Sequence, residues 1–256
     1  MIASLWKAPP LMVQHAGLFI TVWVAGLISA LLTLWGEDSL LEWSGGGFLL
    51  NDFQPIDVGN FFIGGGVFLV LTTITFFLYG IITRHLQKKQ TPSVSFIAGQ
   101  AFLLSILITV LGGGLIVLAR AWITLLAAEG IISTIAAILG FLGGIVFVLA
   151  FVKFSFTPIL IGHGLSIKDA LAESWKQTGG HFWIMVVLFL LLSIIGGLIQ
   201  GIESFLPVID AEWLVLIIGV TLTSLSMFYS IIVLSTALPH PETIHLGSPR
   251  KHGRAR

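Results

Sequence analysis

The chain has 256 residues, 56% hydrophobic and only 9% charged, with a mean hydropathy of +1.04. Water-soluble domains carry about 25% charged residues, so a soluble globule is excluded. Twelve Lys and Arg balance twelve Asp and Glu, which excludes the global basic field used to hold nucleic acid, and the absence of cysteine removes disulfides, thiolate nucleophiles and Cys-based metal sites.

A helix needs about 20 apolar residues to cross ~30 Å of hydrocarbon, because every backbone N–H and C=O must be satisfied within the segment. Six stretches reach that length without a formal charge: Ala16–Trp35, Phe61–Thr83, Phe96–Ala119, Ile131–Val152, Phe182–Ile202 and Trp213–Leu238. They occupy more than half the chain, which predicts an all-α, polytopic bundle of six transmembrane helices. One transmembrane domain over residues 1–238 is expected, followed by a basic, disordered tail over residues 239–256.

Pro9-Pro10 suits a turn leading into the first stretch better than a helix interior. That stretch outruns the core of a secretory signal, about 7–15 residues, and reads as a retained helix. The segment Gly36–Asn60 mixes acids with Leu40, Leu41, Trp43, Phe48 and Phe53, the composition of a short structure resting on a membrane surface. At Arg120 two readings stand. Either the third helix runs on through Ala121–Ala128 toward Glu129 and Arg120 snorkels from its end, or the helix stops near Ala119.

Glycines cluster inside the spans, at Gly64–Gly66, Gly112-Gly113-Gly114, Gly140 with Gly143 and Gly144, and Gly196-Gly197 with Gly201. Gly140/Gly144 and Gly197/Gly201 have the small-xxx-small spacing that lets membrane helices approach closely. The triplets read alternatively as local helix breaks, with Gly112–Gly114 the best candidate. Ser105–Ile116 and Leu191–Ile199 each place a Gly cluster before Leu-Ile, which reads either as a parallel repeat or as shared composition.

Between the fourth and fifth stretches, Pro158 is expected to kink or end the membrane helix at about Thr157. Ser166 followed by Asp169 has the form of a capping box with Asp in place of Glu, and Gly179-Gly180 supplies a stop. A short amphipathic helix is therefore expected between them in the interface, with Ile167, Ala170, Leu171, Ser174 and Trp175 toward one side. The last stretch carries a polar stripe of Thr221, Thr223, Ser224, Ser226, Tyr229 and Ser230, with Thr72, Thr73 and Thr75 as candidate partners. Interhelical hydrogen bonding and a solute path explain the stripe equally well.

Eleven of the twelve cations fall on one side of this layout: Lys7, Arg84, Lys88, Lys89, Lys153, Lys168, Lys176, Arg250, Lys251, Arg254 and Arg256. The other side collects nine acids, from Glu37 to Glu212, and Arg120. The positive-inside rule then puts both termini in the cytoplasm of a cell membrane, with the basic face and the Arg250–Arg256 tail available to anionic lipid. Six tryptophans, among them Trp122, Trp175 and Trp183, fall at predicted helix ends where amphipathic rings prefer to lie, whereas Trp23 is mid-span and its N–H needs a partner.

The run Pro158, Gly164-x-Ser166, Ala170-Leu171, Ser174-Trp175, Thr178-Gly179 and Phe182-Trp183 resembles a pattern in the membrane domain of glycerophosphoryl diester phosphodiesterases and in its stand-alone relatives. The resemblance implies a six-helix bundle with interfacial elbows. It carries over no catalytic residue, since phosphodiesterase chemistry in the fused proteins belongs to a separate soluble domain.

No His-Glu-x-x-His, Gly-x-Ser-x-Gly, Walker or dinucleotide motif is present, and His15, His163 and His181 lack ligand spacing, so no catalytic residue, cofactor or metal is assigned. The spans contain no Asp, Glu, Lys, Arg or His, the groups on which ion-coupled transport relies. The leading expectation is a non-enzymatic protein that acts by association, as an accessory or scaffold subunit or a membrane-organising factor, through self-association or a membrane-complex partner. The alternative is a small-solute or lipid permease using Gly-broken helices and the Ser/Thr stripe.

Overall fold

The computed structural model describes residues 3–44, 58–87, 92–126, 131–203 and 212–237. Every regular element among them is helical: α1 (Ala3–Gln14), α2 (Ala16–Trp35), α3 (Glu37–Ser44), α4 (Val58–Gln87), α5 (Val94–Leu126), α6 (Ile131–Phe154), α7 (Thr157–Gly162), α8 (Ile167–Gly179), α9 (Phe182–Glu203) and α10 (Glu212–Ala237). The protein is thus an all-α, polytopic helical bundle. Five described segments are long and apolar enough to cross a membrane, and α9 makes a sixth when joined to α8, from which it bends by 100°. The tail over 239–256 and the acidic residues Asp52, Asp57, Glu129 and Asp210 lie outside the described residues.

Over the described residues each charge-free stretch lies in one helix, and most helices extend past it. The third span is the longest, 33 residues from Val94 to Leu126, or about 50 Å at 1.5 Å per residue. Of the two readings at Arg120, continuation past Ala119 is the one observed. The same helix runs unbroken through Gly112–Gly114, so of the two readings of that triplet the local break is not observed. Gly weakens a helix by only about 1 kcal/mol relative to Ala, whereas a backbone group left unpaired in hydrocarbon costs several. Without a substitute partner for those groups, the helix persists.

Two proline expectations also change. Pro9 and Pro10 lie inside α1, a helix the hydropathy pattern leaves out, rather than in a turn. Against the expected kink or end at about Thr157, α6 ends at Phe154, four residues before Pro158. The break falls earlier, at Ser155-Phe156, and Pro158 occupies the first turn of α7, where a missing N–H leaves no helical bond unmade.

The spans α2, α4, α5, α6, α9 and α10 touch in that order, and α10 closes back onto α2 and also meets α4. The short α7 inserts against α4, α5 and α8, with all six residues buried. Its place is set by a backbone contact: a β-carbon on Gly162 would lie 2.7 Å from the Gly80 carbonyl oxygen and 3.0 Å from Thr83 Cβ. Around it gather Leu78 and Ile82 of α4, Ile97 and Leu104 of α5, Met185 and Leu188 of α9, and Phe228 and Ile231–Leu234 of α10. All of these lie toward the end that carries Arg84, Lys153, Lys168 and Lys176, hereafter the basic end.

Toward the other end packing thins. Gly36, Ser39, Gly64, Gly65 and Val67 are buried where α3 meets α4, but Val110, Leu111 and Leu118 of α5 and Ile194 and Leu198 of α9 are exposed. On α6 every residue from Ala137 to Leu149 is exposed.

Apolar burial does not drive helix association in lipid, so close contact at small residues does. Gly162→Ala is therefore expected to destabilise by about 1–3 kcal/mol, the cost of forcing an atom into a packed site. Gly112→Ala, where a β-carbon meets nothing within 4 Å, should not destabilise. Unfolding of the two variants in mixed micelles compares them directly, and equal stabilities would refute the contact's role.

Candidate functional site

The most constructed region of the molecule is the elbow linking α6 to α9 through α7 and α8. Gly164 turns the chain with φ +91°, a left-handed value that glycine adopts without strain, and it faces the Pro92 ring. Ser166 caps α8: its Oγ accepts from the Asp169 backbone N–H at 3.4 Å and donates to Asp169 Oδ2 at 2.6 Å. The amide oxygen of Gln100, on α5, takes the Ile167 N–H at 2.8 Å. A second helix thereby completes the cap, which no local pattern discloses. Across the elbow, Ser93 accepts from the Phe96 N–H at 3.1 Å and starts α5.

The buried face of α8 is Ala170, Ser174 and Thr178, spaced by four residues. Ser174 donates to the Lys153 carbonyl at 2.7 Å and Thr178 adds a longer contact of 3.4 Å. Those hydroxyls satisfy a carbonyl left over where α6 stops. Trp175, expected on the packed side, is 53% exposed, although its ring contacts Phe154 at 5.6 Å. Burial lowers the His163 imidazole, at the end of α7, from 6.5 to about 4.

The polar residues of the last span are spent on helix contacts. Thr221 Oγ1 accepts from the Trp23 indole N–H at 2.9 Å and donates to the Ile217 carbonyl at 2.7 Å. Trp23 thus obtains the partner its mid-span position demands. Ser224 is buried against Gly26 of α2 with its Oγ unpaired. Thr223 is exposed. Tyr229 donates from its OH to the Leu5 carbonyl of α1 at 3.1 Å. Leu5 is four residues before Pro9, whose missing N–H would have served that carbonyl; Tyr229 replaces the lost donor. The expected partners Thr72, Thr73 and Thr75 each bond carbonyls of their own helix instead. Thr83 and Ser235 form the hydroxyl pair between α4 and α10, at 3.0 Å.

Among the glycines singled out from sequence, Gly140 receives the Trp122 indole, whose Nε1 would lie 2.9 Å from an added β-carbon and has no hydrogen-bond partner. Added β-carbons at Gly112, Gly114, Gly144 and Gly197 meet nothing within 4 Å, and Gly113 is buried. Gly201 is helical, and its surroundings lie outside the described residues. The close helix contacts fall at Gly26, Gly80 and Gly162. These stand singly in the sequence, and no spacing rule picks them out. His15 packs edge-on against His85, with ring centroids 5.6 Å apart. Among the described residues no three metal-ligating side chains converge.

Compared with known proteins, the chain matches no family model, no curated protein and no solved structure.

Two measurements follow from the elbow and the last span. Tyr229→Phe should cost about 1 kcal/mol, the net worth of one hydrogen bond. In a Pro9→Ala background, where residue 9 regains an N–H, the cost should shrink, and additive effects in the double-mutant cycle would contradict the pairing. For His163, a folded-state value lowered to about 4 means that stability is full above about pH 6.5 and falls as pH drops toward 4, because only the unfolded chain binds the proton in that window. His163→Gln should flatten part of this decline in Tm against pH; an unaltered profile would assign it elsewhere.

Proposed function

We propose that this chain is a multi-pass membrane protein that works by association, as an accessory or scaffold subunit or a membrane-organising factor without catalytic activity of its own. The observation that carries the reading is α6. From Ala137 to Leu149 it exposes every residue, so over more than three turns this span has no packed side. Membrane helices are held by van der Waals contact with other helices, and α6 makes it mainly at its basic end, where Phe151 meets Phe189, and where Trp122 meets Gly140. Gly143 and Gly144, with open space before them, allow a second helix to approach closely. The partner we assign is a second copy of this chain, meeting α6 to α6 across a two-fold axis.

On this reading the basic end faces the cytoplasm of a cell membrane, by the positive-inside rule, with both termini there and anionic lipid against it. The helix α8, with Ala170, Ser174 and Thr178 inward and Lys168, Asp169 and Lys176 exposed, then lies in the interface as an amphipathic elbow. The run from Pro158 to Trp183 favours kinship with the membrane domain of glycerophosphoryl diester phosphodiesterases, contributing a bundle and not a reaction. A permease along α10 has less behind it, since Thr221 and Tyr229 are committed to α2 and α1.

The chain has no cysteine, so one introduced thiol reports one position. Val146→Cys on α6 should give a covalent dimer with a short bis-maleimide in intact membranes, while Ile20→Cys, equally exposed on α2 at 64%, should stay monomeric. Monomer at both positions overturns the α6 contact, and dimers from both reduce it to collision.

A further inference from the structure

We propose that the corner where α6, α8 and α9 meet binds the phosphate of an anionic glycerophospholipid, with the Lys153 ammonium as its principal ligand. The proposal rests on the reading above, in which the basic end lies at the membrane–water interface.

Lys153 is the last cation of a membrane-spanning helix. Its Nζ lies 5.0 Å from the centroid of the Trp175 ring and 5.9 Å from that of Phe182, so α8 and α9 each present an aromatic ring to it. Its backbone carbonyl is held by Ser174 and Thr178, which fixes the root of the side chain. Among the described residues no carboxylate pairs with it. The two acids of α8 are engaged elsewhere, Asp169 with Ser166 and Glu173 with Gln177 Nε2 at 2.9 Å. Gly179 leaves one approach open, since a β-carbon there would already be 3.6 Å from Nζ.

An ammonium at the edge of hydrocarbon is costly without a counter-charge. Ring faces supply part of the compensation, but they accept none of its hydrogen bonds in the strong, charge-assisted form that a phosphate oxygen offers. Because the protein's own ammonium fills the aromatic corner, a choline headgroup is excluded and an anion selected. Lys176, exposed beside Trp175, adds a second positive charge. Below the corner the wall turns apolar: Phe151 and Leu190 are exposed at 57% and 59%, and a Phe151–Phe189 contact of 5.5 Å joins α6 to α9. A polar head above two apolar walls fits an amphiphile in the bilayer better than a soluble phosphate.

The test titrates the full-length protein, in detergent, with dioleoyl phosphatidylglycerol, dioleoyl phosphatidylcholine or inorganic phosphate, and reads bound species by native mass spectrometry. Wild type should prefer phosphatidylglycerol over phosphatidylcholine by about tenfold, the order of one charge-assisted hydrogen bond. Lys153→Gln should lose that preference and Lys153→Arg keep it. Gly179→Leu, which covers the ammonium without changing charge, should lose it too. Lys168→Gln, at the opposite end of α8, should behave as wild type. Preference retained in both Lys153→Gln and Gly179→Leu overturns the site while leaving the wider anionic-lipid reading standing; no preference in wild type overturns both. Displacement of the lipid by equimolar inorganic phosphate overturns the lipid assignment in favour of a soluble anion.

Discussion

The close approach of Gly162 to the Gly80 carbonyl decides how the basic end is built. With no β-carbon on either residue, the backbone of α7 lies directly on α4, and a helix of six residues becomes wholly buried. Everything that follows in the chain inherits that placement. To deliver α7 there, α6 must stop at Phe154, which leaves the Lys153 carbonyl without its helical donor. The helix that comes next supplies hydroxyls at Ser174 and Thr178 to satisfy it. The packing contact and the hydrogen bonds are therefore one arrangement, in which the first creates the need that the second meets.

The same rule operates wherever the backbone ladder is interrupted. In hydrocarbon a carbonyl without a donor has no water to turn to, and at three points among the described residues a side chain from another helix supplies the missing partner. Pro9 withholds a donor from Leu5, and Tyr229 reaches across from α10 to give one. The first N–H of α8 has no helical acceptor, and Gln100 reaches across from α5 to provide one. At Gly112 and Gly114 an added β-carbon would meet nothing within 4 Å, and the triplet stays helical. Residues that weaken a helix do not break it; a break needs a partner in place for the groups it frees.

This explains which parts of the molecule could be read from sequence. Long charge-free runs report the spans reliably because a single physical cost, that of carrying charge through lipid, sets both the length and the composition of Ala16–Trp35 and the five stretches after it. The cap at Ser166 and Asp169 was legible as well, since it is local in the chain. Helices α1, α3 and α7 were not. The first contains two prolines, the second is acidic, and the third has only six residues, so none presents the length or periodicity on which recognition depends. Their stability comes from neighbours distant in sequence, such as Tyr229 for α1 and Gly80 for α7. Glycine clusters are an uneven guide for a related reason: Gly140 meets Trp122, whereas added β-carbons at Gly144 and Gly197 meet nothing within 4 Å. Clustering is visible in a sequence, whereas the contact that makes a glycine necessary, as at Gly26, Gly80 and Gly162, is made by another helix.

Packing density along the bundle also bears on what the protein can do. The buried polar atoms with no hydrogen-bond partner include Ser224 Oγ, against Gly26, and Trp122 Nε1, against Gly140, each a side chain packed onto a glycine of another helix. A hydroxyl or indole so placed has given up a partner for contact, which makes sense only where contact is what holds the helices. At the basic end the close approach is that of Gly162 to the Gly80 backbone. At the other end α6 and the outer part of α9 have few, and their apolar side chains face outward. On the last span Thr221 and Tyr229 bond to neighbouring helices, whereas Ser224 Oγ does not. The packing contrast between a basic end built around α7 and an α6 whose residues Ala137–Leu149 are exposed is the feature on which the proposed association rests.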